Sequence, residues 1–331
     1  MRMPAEWEPH ERTWVAFPHH GYTLGESKTE QETARQTWAR VANEASDFEH
    51  VTVVAHPDDV AIARSYLSGQ IEIVDIKIDD AWIRDSGPTF VFDGDQLMVV
   101  DWVFNGWGAQ DWAKYNEDAK LAGEIARLVG VPVLRSELVN EGGGIHVNGA
   151  GAVLLTETVQ LGKERNPGWS KDQVETEIHK RLGTDRAIWI KRGLTRDYEE
   201  FGTKGHIDIV ACFAPDGRVL YHSQENPSHP DFEVSAEVRE ALVPHFELVA
   251  IPAPDVLKDL EGYVDYSYIN HYVLNDAVLL CSFDDAKDKE VMAQLKDIYP
   301  GREIRLLPAT ELFARGGGIH CITQQQPKEK K

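Results

Sequence analysis

The chain has 331 residues, of which 42% are hydrophobic and 27% are charged, a composition typical of a globular protein and not of a disordered or membrane-embedded one. Its 55 acidic side chains outnumber its 34 basic ones, which gives a formal net charge of −21 at pH 7. A surface this acidic repels nucleic acids and anionic lipids, so we expect neither as a partner and expect a cationic substrate.

Cysteine usage and the first residues predict a cytoplasmic protein. The three cysteines, Cys212, Cys281 and Cys321, are too few for a secreted disulfide scaffold. Residues 1–10 lack the apolar core of a signal peptide, and no apolar run approaches the roughly 18 residues that a membrane span needs. The sequence leaves a homo-oligomer open.

The N-terminal part predicts a strand, a helix and a second strand. Residues 13–17 and 51–55 are short β-prone runs, and Ser27 and Glu30 form the capping box of a helix between them. Later helix starts and short strands continue this order at Asn116, residues 131–134, Ser170 and residues 187–190.

A glycine-rich motif occurs twice in the chain. Residues 142–146 and 316–320 both read Gly-Gly-Gly-Ile-His, and each precedes a β-prone stretch. Weaker copies of this pattern begin at Asp85, His206 and Asn270. The five repeat positions, 85, 146, 206, 270 and 320, have similar spacing, which predicts an internal repeat.

The repeat predicts the fold class. After four of the five positions, two β-prone runs flank a turn signal, which indicates a β-hairpin, and a helix and a strand follow. The turns are Asp93-Gly94-Asp95, Asn148-Gly149, Asp216-Gly217 and Asn275-Asp276. Five ββαβ-like units, closed because the N-terminal strand completes the fifth, predict a ring-shaped α/β domain over residues 1–326, followed by a polar tail over residues 327–331. An ordinary α/β sheet with similar glycine loops is the alternative.

Cys321 is the candidate nucleophile, because it follows a glycine triplet at a repeat position where loops of a ring converge. Cys212 and Cys281 are flanked by apolar residues and are interpreted as core. A thiol nucleophile needs a nearby histidine, and we expect His206, with Asp208 on the same face of an extended strand, to supply it. The alternatives are a buried structural thiol and an ordinary surface histidine–carboxylate pair.

Asp85 and Asp208 are candidate ligands of a guanidinium group. Paired carboxylates accept bidentate hydrogen bonds from a planar cation, and Trp82 offers an aromatic face beside Asp85. The alternative is that Asp85 forms an internal ion pair with Arg84.

A zinc site is the competing use of these residue types, and the histidines that could contribute are His19, His20, His146, His206 and His320. No ligand pair with zinc-site spacing occurs, and the glycine triplets lack the lysine and helix of a phosphate-binding loop. We therefore expect no metal and no cofactor. His146 and His320 follow the same Gly-Gly-Gly-Ile sequence and are interpreted as structural repeats.

Five ordered motifs resemble the agmatine deiminase family, which also includes bacterial peptidyl-arginine deiminases. They span essentially the whole chain: residues 3–7, 82–89, 141–146, 205–208 and 316–325. The resemblance implies a five-bladed, pseudo-symmetric α/β propeller, in agreement with the repeat.

The resemblance also implies the roles of individual residues and the reaction. Cys321 would be the nucleophile, His206 the general acid and base, and Glu141 the family's glutamate beside that histidine. The guanidinium ligands would be Asp85 and Asp208, with Trp82 as an aromatic wall. The expected reaction converts agmatine to N-carbamoylputrescine and ammonia through a covalent amidino-cysteine, without a cofactor, as a step of putrescine biosynthesis.

The sequence departs from the family pattern near the histidine. Residues 202–206 read Gly-Thr-Lys-Gly-His where the family usually has Asp-Thr-Asn-Gly-His, and Gly318 is followed directly by Ile319, without the usual asparagine. Lys204 would favour a carboxylate at the far end of the substrate, so arginine, another guanidino acid or peptidyl-arginine is the alternative substrate. A catalytically idle cation-binding propeller and an amidinotransferase are the alternatives from other classes.

Overall fold

The computed structural model describes residues 1–329, and its strands are short. Within this range the strands are β1 (His10–Ala16), β2 (Val51–Ala55), β3 (Glu72–Asp75), β4 (Thr89–Asp93), β5 (Gln96–Val103), β6 (Val133–Val139), β7 (Ile145–Val147), β8 (Ala152–Thr156), β9 (Arg186–Ile190), β10 (Ala211–Phe213), β11 (Val219–Ser223), β12 (Leu248–Pro252), β13 (Tyr272–Val273), β14 (Ala277–Ser282), β15 (Glu303–Pro308) and β16 (Thr323–Pro327).

The helices of the same range connect these strands. They are α1 (Gly21–Leu24), α2 (Lys28–Ala45), α3 (Val60–Tyr66), α4 (Ile83–Ser86), α5 (Gly106–Ala109), α6 (Asp118–Val129), α7 (Glu157–Gln160), α8 (Lys171–Leu182), α9 (Asp231–Leu242), α10 (Lys287–Ile298) and α11 (Thr310–Phe313). Single 3₁₀ turns occupy Pro57–Asp59, Gly142–Gly144, Arg196–Tyr198, Ile207–Ile209 and His320–Ile322. Both predicted capping boxes are present, at Ser27 before α2 and at Ser170 before α8.

Over residues 1–329 the strands form five separate mixed sheets, so the fold is α/β as predicted. Four sheets have three strands, in the orders β4-β5-β6, β7-β8-β9, β10-β11-β12 and β13-β14-β15. In each of these the first two strands are an antiparallel hairpin, and the third is parallel to the second after a long helix. The predicted order of hairpin, helix and strand is therefore confirmed.

The fifth sheet joins the two ends of the chain, in the order β16-β1-β2-β3. Strand β1 pairs antiparallel with β16, and Trp14 Nε1 donates to Gln326 Oε1 at 3.0 Å. The prediction that the N-terminal strand completes the last unit is confirmed. Strand β16 reaches Pro327, beyond the expected end near Gln325; of the predicted tail, residues 330 and 331 lie outside the described residues.

Cys212 and Cys281 are buried within their hairpin strands, which confirms their interpretation as core residues. All three cysteines are free thiols. The helices carry their apolar side chains toward the sheets, and none in residues 1–329 combines the length and the hydropathy needed to span a membrane.

The prediction that His206 and Asp208 lie on an extended strand is wrong. His206 precedes a buried 3₁₀ turn that contains Asp208, and the strand begins only at Ala211. The chain bends sharply here because Lys204 and Gly205 have left-handed backbone conformations, with φ of 71° and 119°. Both side chains are nevertheless buried, and Asp208 is near enough to help raise the pKa of His206.

Candidate active site

Five predicted site residues lie together on short helical turns just before the hairpin strands. Asp85 belongs to α4, Asp208 and Cys321 to 3₁₀ turns, and Glu141 and His206 each directly precede one. These turns contact one another although they come from different units. All five side chains are buried, with Cys321 only 3% exposed. We call these five residues the central cluster.

His206 is held between carboxylates. Its Nε2 lies 3.3 Å from Glu141 Oε2, and its Nδ1, which has no hydrogen-bond partner within residues 1–329, lies 3.7 Å from Asp85 Oδ1. Burial opposes protonation, but Asp85, Glu141 and Asp208 outweigh it and raise the pKa of His206 to about 9. The imidazole is therefore a cation at neutral pH.

Glu141 is fixed from its other side by a buried guanidinium. Arg165 Nε donates to both Glu141 oxygens at 3.0 Å, and Arg165 Nη2 donates to the carbonyl of Thr203 at 2.6 Å. Burial alone would raise the pKa of Glu141, but Arg165 and His206 lower it to about 2. Glu141 is thus a permanent anion that orients and charges the histidine.

The Cys321 thiol faces Asp208 and Asn270. Its Sγ lies 3.6 Å from Asp208 Oδ2, and Asn270 Nδ2 donates to it at 3.3 Å. Burial and the negative charges of Asp208 and Asp85 raise the pKa of the thiol well above its usual value. These surroundings favour the protonated thiol at neutral pH.

Asp85 and Asp208 are oriented differently. Asp85 accepts hydrogen bonds from Trp107 Nε1 at 2.9 Å and from the Gly143 amide at 3.1 Å, and burial, with Asp208 and Glu141 adding to it against His206, raises its pKa to about 6. Asp208 Oδ2 is bonded to His320, whereas its buried Oδ1 has no partner within residues 1–329. This free oxygen is an unused acceptor beside the thiol.

The second glycine-rich motif, residues 316–320, allows a close approach to the thiol. A Cβ on Gly317 would lie 2.8 Å from Cys321 Sγ and 2.9 Å from Trp82 Cζ3, so a larger residue would not fit. The indole of Trp82 is thereby placed beside the thiol, and its Nε1 donates to Thr23 Oγ1 at 2.9 Å. This placement is compatible with the aromatic wall expected from the sequence.

Two further residues near the cluster were considered in the sequence. The ammonium group of Lys204 donates to the carbonyls of Tyr198 and Glu199 at 3.1 and 2.6 Å, and its expected role at the far end of the substrate stays a prediction. Arg84 does not pair with Asp85, which was the alternative interpretation of that carboxylate. The buried Arg84 side chain donates to the carbonyl of His320 at 3.2 Å and to Gln325 Oε1 at 2.9 Å.

Aromatic rings from three segments lie over this end of the molecule. Trp107, which donates to Asp85, stacks on Trp112 with ring centroids 5.4 Å apart, and Trp112 contacts Phe201 at 5.1 Å. Phe201 stacks on Tyr22 at 3.6 Å, and the Tyr22 hydroxyl donates to the carbonyl of Ala314. This row connects the Asp85 side of the cluster to the segment before Gly317.

The histidines considered for zinc are dispersed. His19 and His20 lie beside His56, and the ring of His146 is 6.5 Å from that of His320. Over residues 1–329, no group of three or more His, Cys, Asp and Glu side chains is arranged to hold a metal ion.

Comparison with known proteins matches residues 2–327 to the Porphyromonas-type peptidyl-arginine deiminase family. The chain belongs to this family. It is 53% identical over 336 residues, 99% of both chains, to a Streptomyces coelicolor protein named "Putative agmatine deiminase". It is 36% identical over 364 residues to the agmatine deiminase of Pseudomonas aeruginosa strain UCBPP-PA14, covering 100% of this chain and 96% of that one.

A solved structure of the agmatine deiminase of Enterococcus faecalis superimposes with a TM-score of 0.91 at 29% identity, covering 99% of this chain and 96% of that chain. The structure of an arginine deiminase homologue from Porphyromonas gingivalis has a TM-score of 0.87 at 23% identity, which supports the fold alone. The resemblance drawn from the five motifs is thus confirmed at the level of the family.

Sequence reasoning missed several partners that this family member places around the cluster: Glu6, Trp107, Arg165, Asn270 and His320. Glu6 and Asn270 carried a signal, since one lies in the first motif and the other at a repeat position. Trp107 and Arg165 are isolated in sequence, and nothing in their neighbourhood indicates a role. The interpretation of His320 as a structural repeat of His146 overlooked its contact with Asp208.

Proposed function

We propose that this chain is an agmatine deiminase that hydrolyses the guanidino group of agmatine to give N-carbamoylputrescine and ammonia. One observation carries the proposal: a buried thiol, Cys321, lies beside two carboxylates, Asp85 and Asp208, with the cationic His206 in the same cluster. The agmatine deiminase names of relatives that match along their whole length support the same substrate.

The two carboxylates would hold the guanidinium group. The unpartnered Oδ1 of Asp208 accepts one N–H, and Asp85 accepts others beside its bonds to Trp107 and Gly143. A planar cation between them presents its central carbon to Cys321. Binding gives the buried Oδ1 of Asp208 a hydrogen-bond donor, which removes the free-energy cost of an unsatisfied acceptor.

Substrate binding would also activate the nucleophile. The pKa of Cys321 is raised by burial and by the negative charges of Asp208 and Asp85, and a bound guanidinium cation neutralises those charges. The thiol proton then leaves to solvent, while Asp208, whose pKa is lowered despite burial by its contact with His320, stays ionised to hold the guanidinium. Asn270 Nδ2 stabilises the resulting thiolate.

The chemistry would then need two proton transfers by His206. The thiolate forms a C–S bond to the guanidinium carbon, and the protonated His206 gives its proton to the departing ammonia, which leaves an amidino-thioether on Cys321. Neutral His206 next takes a proton from water, whose oxygen attacks the same carbon. The C–S bond then breaks, the thiolate departs, and the hydroxyl group left on the carbon loses its proton to solvent, which gives the ureido product. Glu141 stabilises the imidazolium in both steps.

The surroundings favour a cation at the far end of the substrate over a carboxylate. The ammonium of Lys204 is already bound to backbone carbonyls. A cavity of about 50 Å³ next to Gly316 is lined by more acidic than basic side chains. Its arginine, Arg196, is paired with Asp259 and Glu261, and Glu199 and Glu200 also line it. Agmatine ends in an ammonium group, whereas arginine and other guanidino acids add a carboxylate that these residues repel.

The test is ammonia release by the purified protein from agmatine, arginine, guanidino acids of several lengths and an arginyl peptide, with the Cys321→Ser variant as control. We expect release from agmatine that the control abolishes. Release from a carboxylate-bearing substrate alone would overturn the substrate and restore the role of Lys204. Turnover that requires an amine acceptor would indicate an amidinotransferase. No turnover of any of these substrates would favour a binding protein.

We further infer that the five sheets are the blades of a single closed propeller domain over residues 1–326. The repetition of hairpin, helix and parallel strand supports this arrangement, and so does the β1–β16 pairing of the two chain ends. Three free thiols are compatible with a reducing cytoplasm, which we propose as the compartment.

A further inference from the structure

Behind Asp208, a histidine lies between two carboxylates. His320 Nδ1 is 2.8 Å from Asp208 Oδ2, and His320 Nε2 is 2.8 Å from Glu6 Oε2. All three side chains are buried, with Asp208 only 2% exposed. Glu6 comes from the N-terminal segment and belongs to no part of the reaction derived above.

The two contacts require a protonated ring. A neutral imidazole has one N–H and can donate to only one carboxylate, whereas the imidazolium donates to both. Burial and Arg84 oppose protonation, but Glu6 and Asp208 outweigh them and raise the pKa of His320. The titratable and charged groups that face His320 are Glu6, Arg84, His146, Asp208, His271, Tyr272 and Cys321.

Glu6 is itself fixed in place. Its Oε1 accepts the amide N–H of Val273 at 2.8 Å, and Arg84 Nη2 lies 3.7 Å from Oε2. Burial would raise the pKa of Glu6, but His320 and Arg84 outweigh burial and lower it. The negative charge behind His320 therefore persists at every pH at which the reaction is measured.

We propose that Glu6 and His320 form a positioning pair that fixes the carboxylate of Asp208 for guanidinium binding. The bond from His320 occupies Oδ2, so Oδ1 is the oxygen that stays free for the substrate. The same bond keeps Asp208 ionised. The inference rests on the proposed function, and it adds two residues that act through Asp208 without touching substrate.

The first experiment measures agmatine binding by calorimetry in the Cys321→Ser background, with and without Glu6→Gln, from pH 6 to pH 9. The amide at position 6 keeps the shape of glutamate but loses its charge, so His320 loses its proton at a lower pH and releases Asp208. We expect the dissociation constant to rise with pH and to exceed that of the parent about tenfold at pH 8.5. A binding curve that follows the parent at every pH overturns the proposal.

A matched control separates positioning from stability. Glu49 is another buried glutamate that contacts a histidine, with its Oε1 3.1 Å from His10 Nδ1, and it does not touch Asp208. Glu49→Gln should lower the melting temperature to a similar degree and leave the pH dependence of agmatine binding unchanged. An equal pH-dependent loss in this control would mean that the effect of Glu6→Gln is general destabilisation, which contradicts the proposal.

A direct measurement keeps the proposal testable if Glu6→Gln does not fold. Nitrogen-15 spectra of the wild-type histidines, with His320→Gln for assignment, report whether the His320 ring carries two protons at pH 8. We expect the doubly protonated form, and a neutral ring at the same pH would refute the pair. The nitrogen-15 spectrum does not depend on turnover. A wild-type protein that fails to deiminate agmatine would therefore contradict the proposed function, while the protonation state of His320 could still be measured.

Discussion

The carboxyl group of Asp85 and the imidazole of His206 should set the pH range of the reaction. Burial raises the pKa of Asp85 to about 6, and the neighbouring carboxylates, against burial, raise the pKa of His206 to about 9. Below about pH 6 Asp85 gains a proton and cannot bind the guanidinium. Above about pH 9 His206 loses the proton that it must give to the departing ammonia. We expect kcat/KM for agmatine to rise through about pH 6 and fall through about pH 9. A profile that stays flat from pH 5 to pH 8 would contradict this assignment of Asp85.

Trp107 should tune the acid limb of that profile. Its indole N–H stabilises the charged form of Asp85, so Trp107→Phe removes a hydrogen bond and leaves the aromatic ring. We expect the acid limb to move to higher pH by about one unit, which corresponds to the loss of one hydrogen bond to a charged group. Trp102→Phe is the matched control, because Trp102 Nε1 donates to Thr89 and not to Asp85. A shift of the same size in both variants would exclude a specific role for Trp107.

At the residue scale, the sequence indicated the reacting residues better than the residues that contact and position them. Cys321, His206, Asp85 and Asp208 could be singled out because each residue type has a chemical use and each sits at a repeat position or in a motif. The residues that contact them could not be identified, because local residue spacing does not indicate a long-range hydrogen bond such as that from Arg165 to Glu141. The side-chain direction of Lys204 was equally inaccessible, since it depends on a left-handed backbone conformation.

At the scale of elements, the loop that delivers His206 depends on one buried carboxylate. Asp197 accepts hydrogen bonds from the Thr203 amide and hydroxyl and the Gly205 amide, each at 2.6 Å, and from the His206 amide at 3.2 Å. Asp197→Ala leaves these donors without their acceptor, and we expect the free energy of unfolding to fall by about 3 kcal/mol. We also expect kcat to fall, because the histidine is no longer held.

Chemical denaturation and steady-state kinetics of Asp197→Ala would check this expectation. Asp297→Ala is the comparison, because Asp297 is exposed on α10 and should change neither quantity. Full stability in Asp197→Ala would show that water replaces the lost acceptor, which would contradict the argument.

Elements with a local sequence signal followed the prediction, and those without one did not. The hairpins and the capped helices were predicted from turn residues and capping boxes, even where a hairpin strand such as β13 has only two residues. The 3₁₀ turns that carry Asp208 and Cys321 are three residues long, too short for a periodic signal. The strand predicted for His206 and Asp208 was wrong for this reason, because an apolar run after glycine reads as a strand in either case.

At the scale of the whole molecule, the central cluster draws residues from most of the chain. Asp85 and Cys321 are far apart in sequence. Strand β1, near the N-terminus, pairs with β16, which follows Cys321, and this pairing brings the two ends of the chain together. The repeat could be detected in the sequence because four of the sheets are built in the same order of hairpin, helix and parallel strand. The closed ring itself was an inference from that repetition.

The net charge of −21 should accelerate the capture of a cationic substrate, and added salt should remove this advantage. The screening length falls from about 30 Å at 0.01 M salt to about 10 Å at 0.1 M, so only charges near the cluster act on the substrate at the higher concentration. We expect kcat/KM for agmatine, a dication, to fall severalfold over this range.

A guanidine with an uncharged alkyl tail is the control substrate. It carries one charge, so the logarithm of its kcat/KM should fall with salt at about half the slope found for agmatine. The kcat at saturating agmatine should not change, because the bound substrate is buried among Asp85, Asp208 and His206. Equal slopes for the two substrates would mean that the far ammonium group does not experience the protein's field, which would remove the electrostatic reason for preferring agmatine.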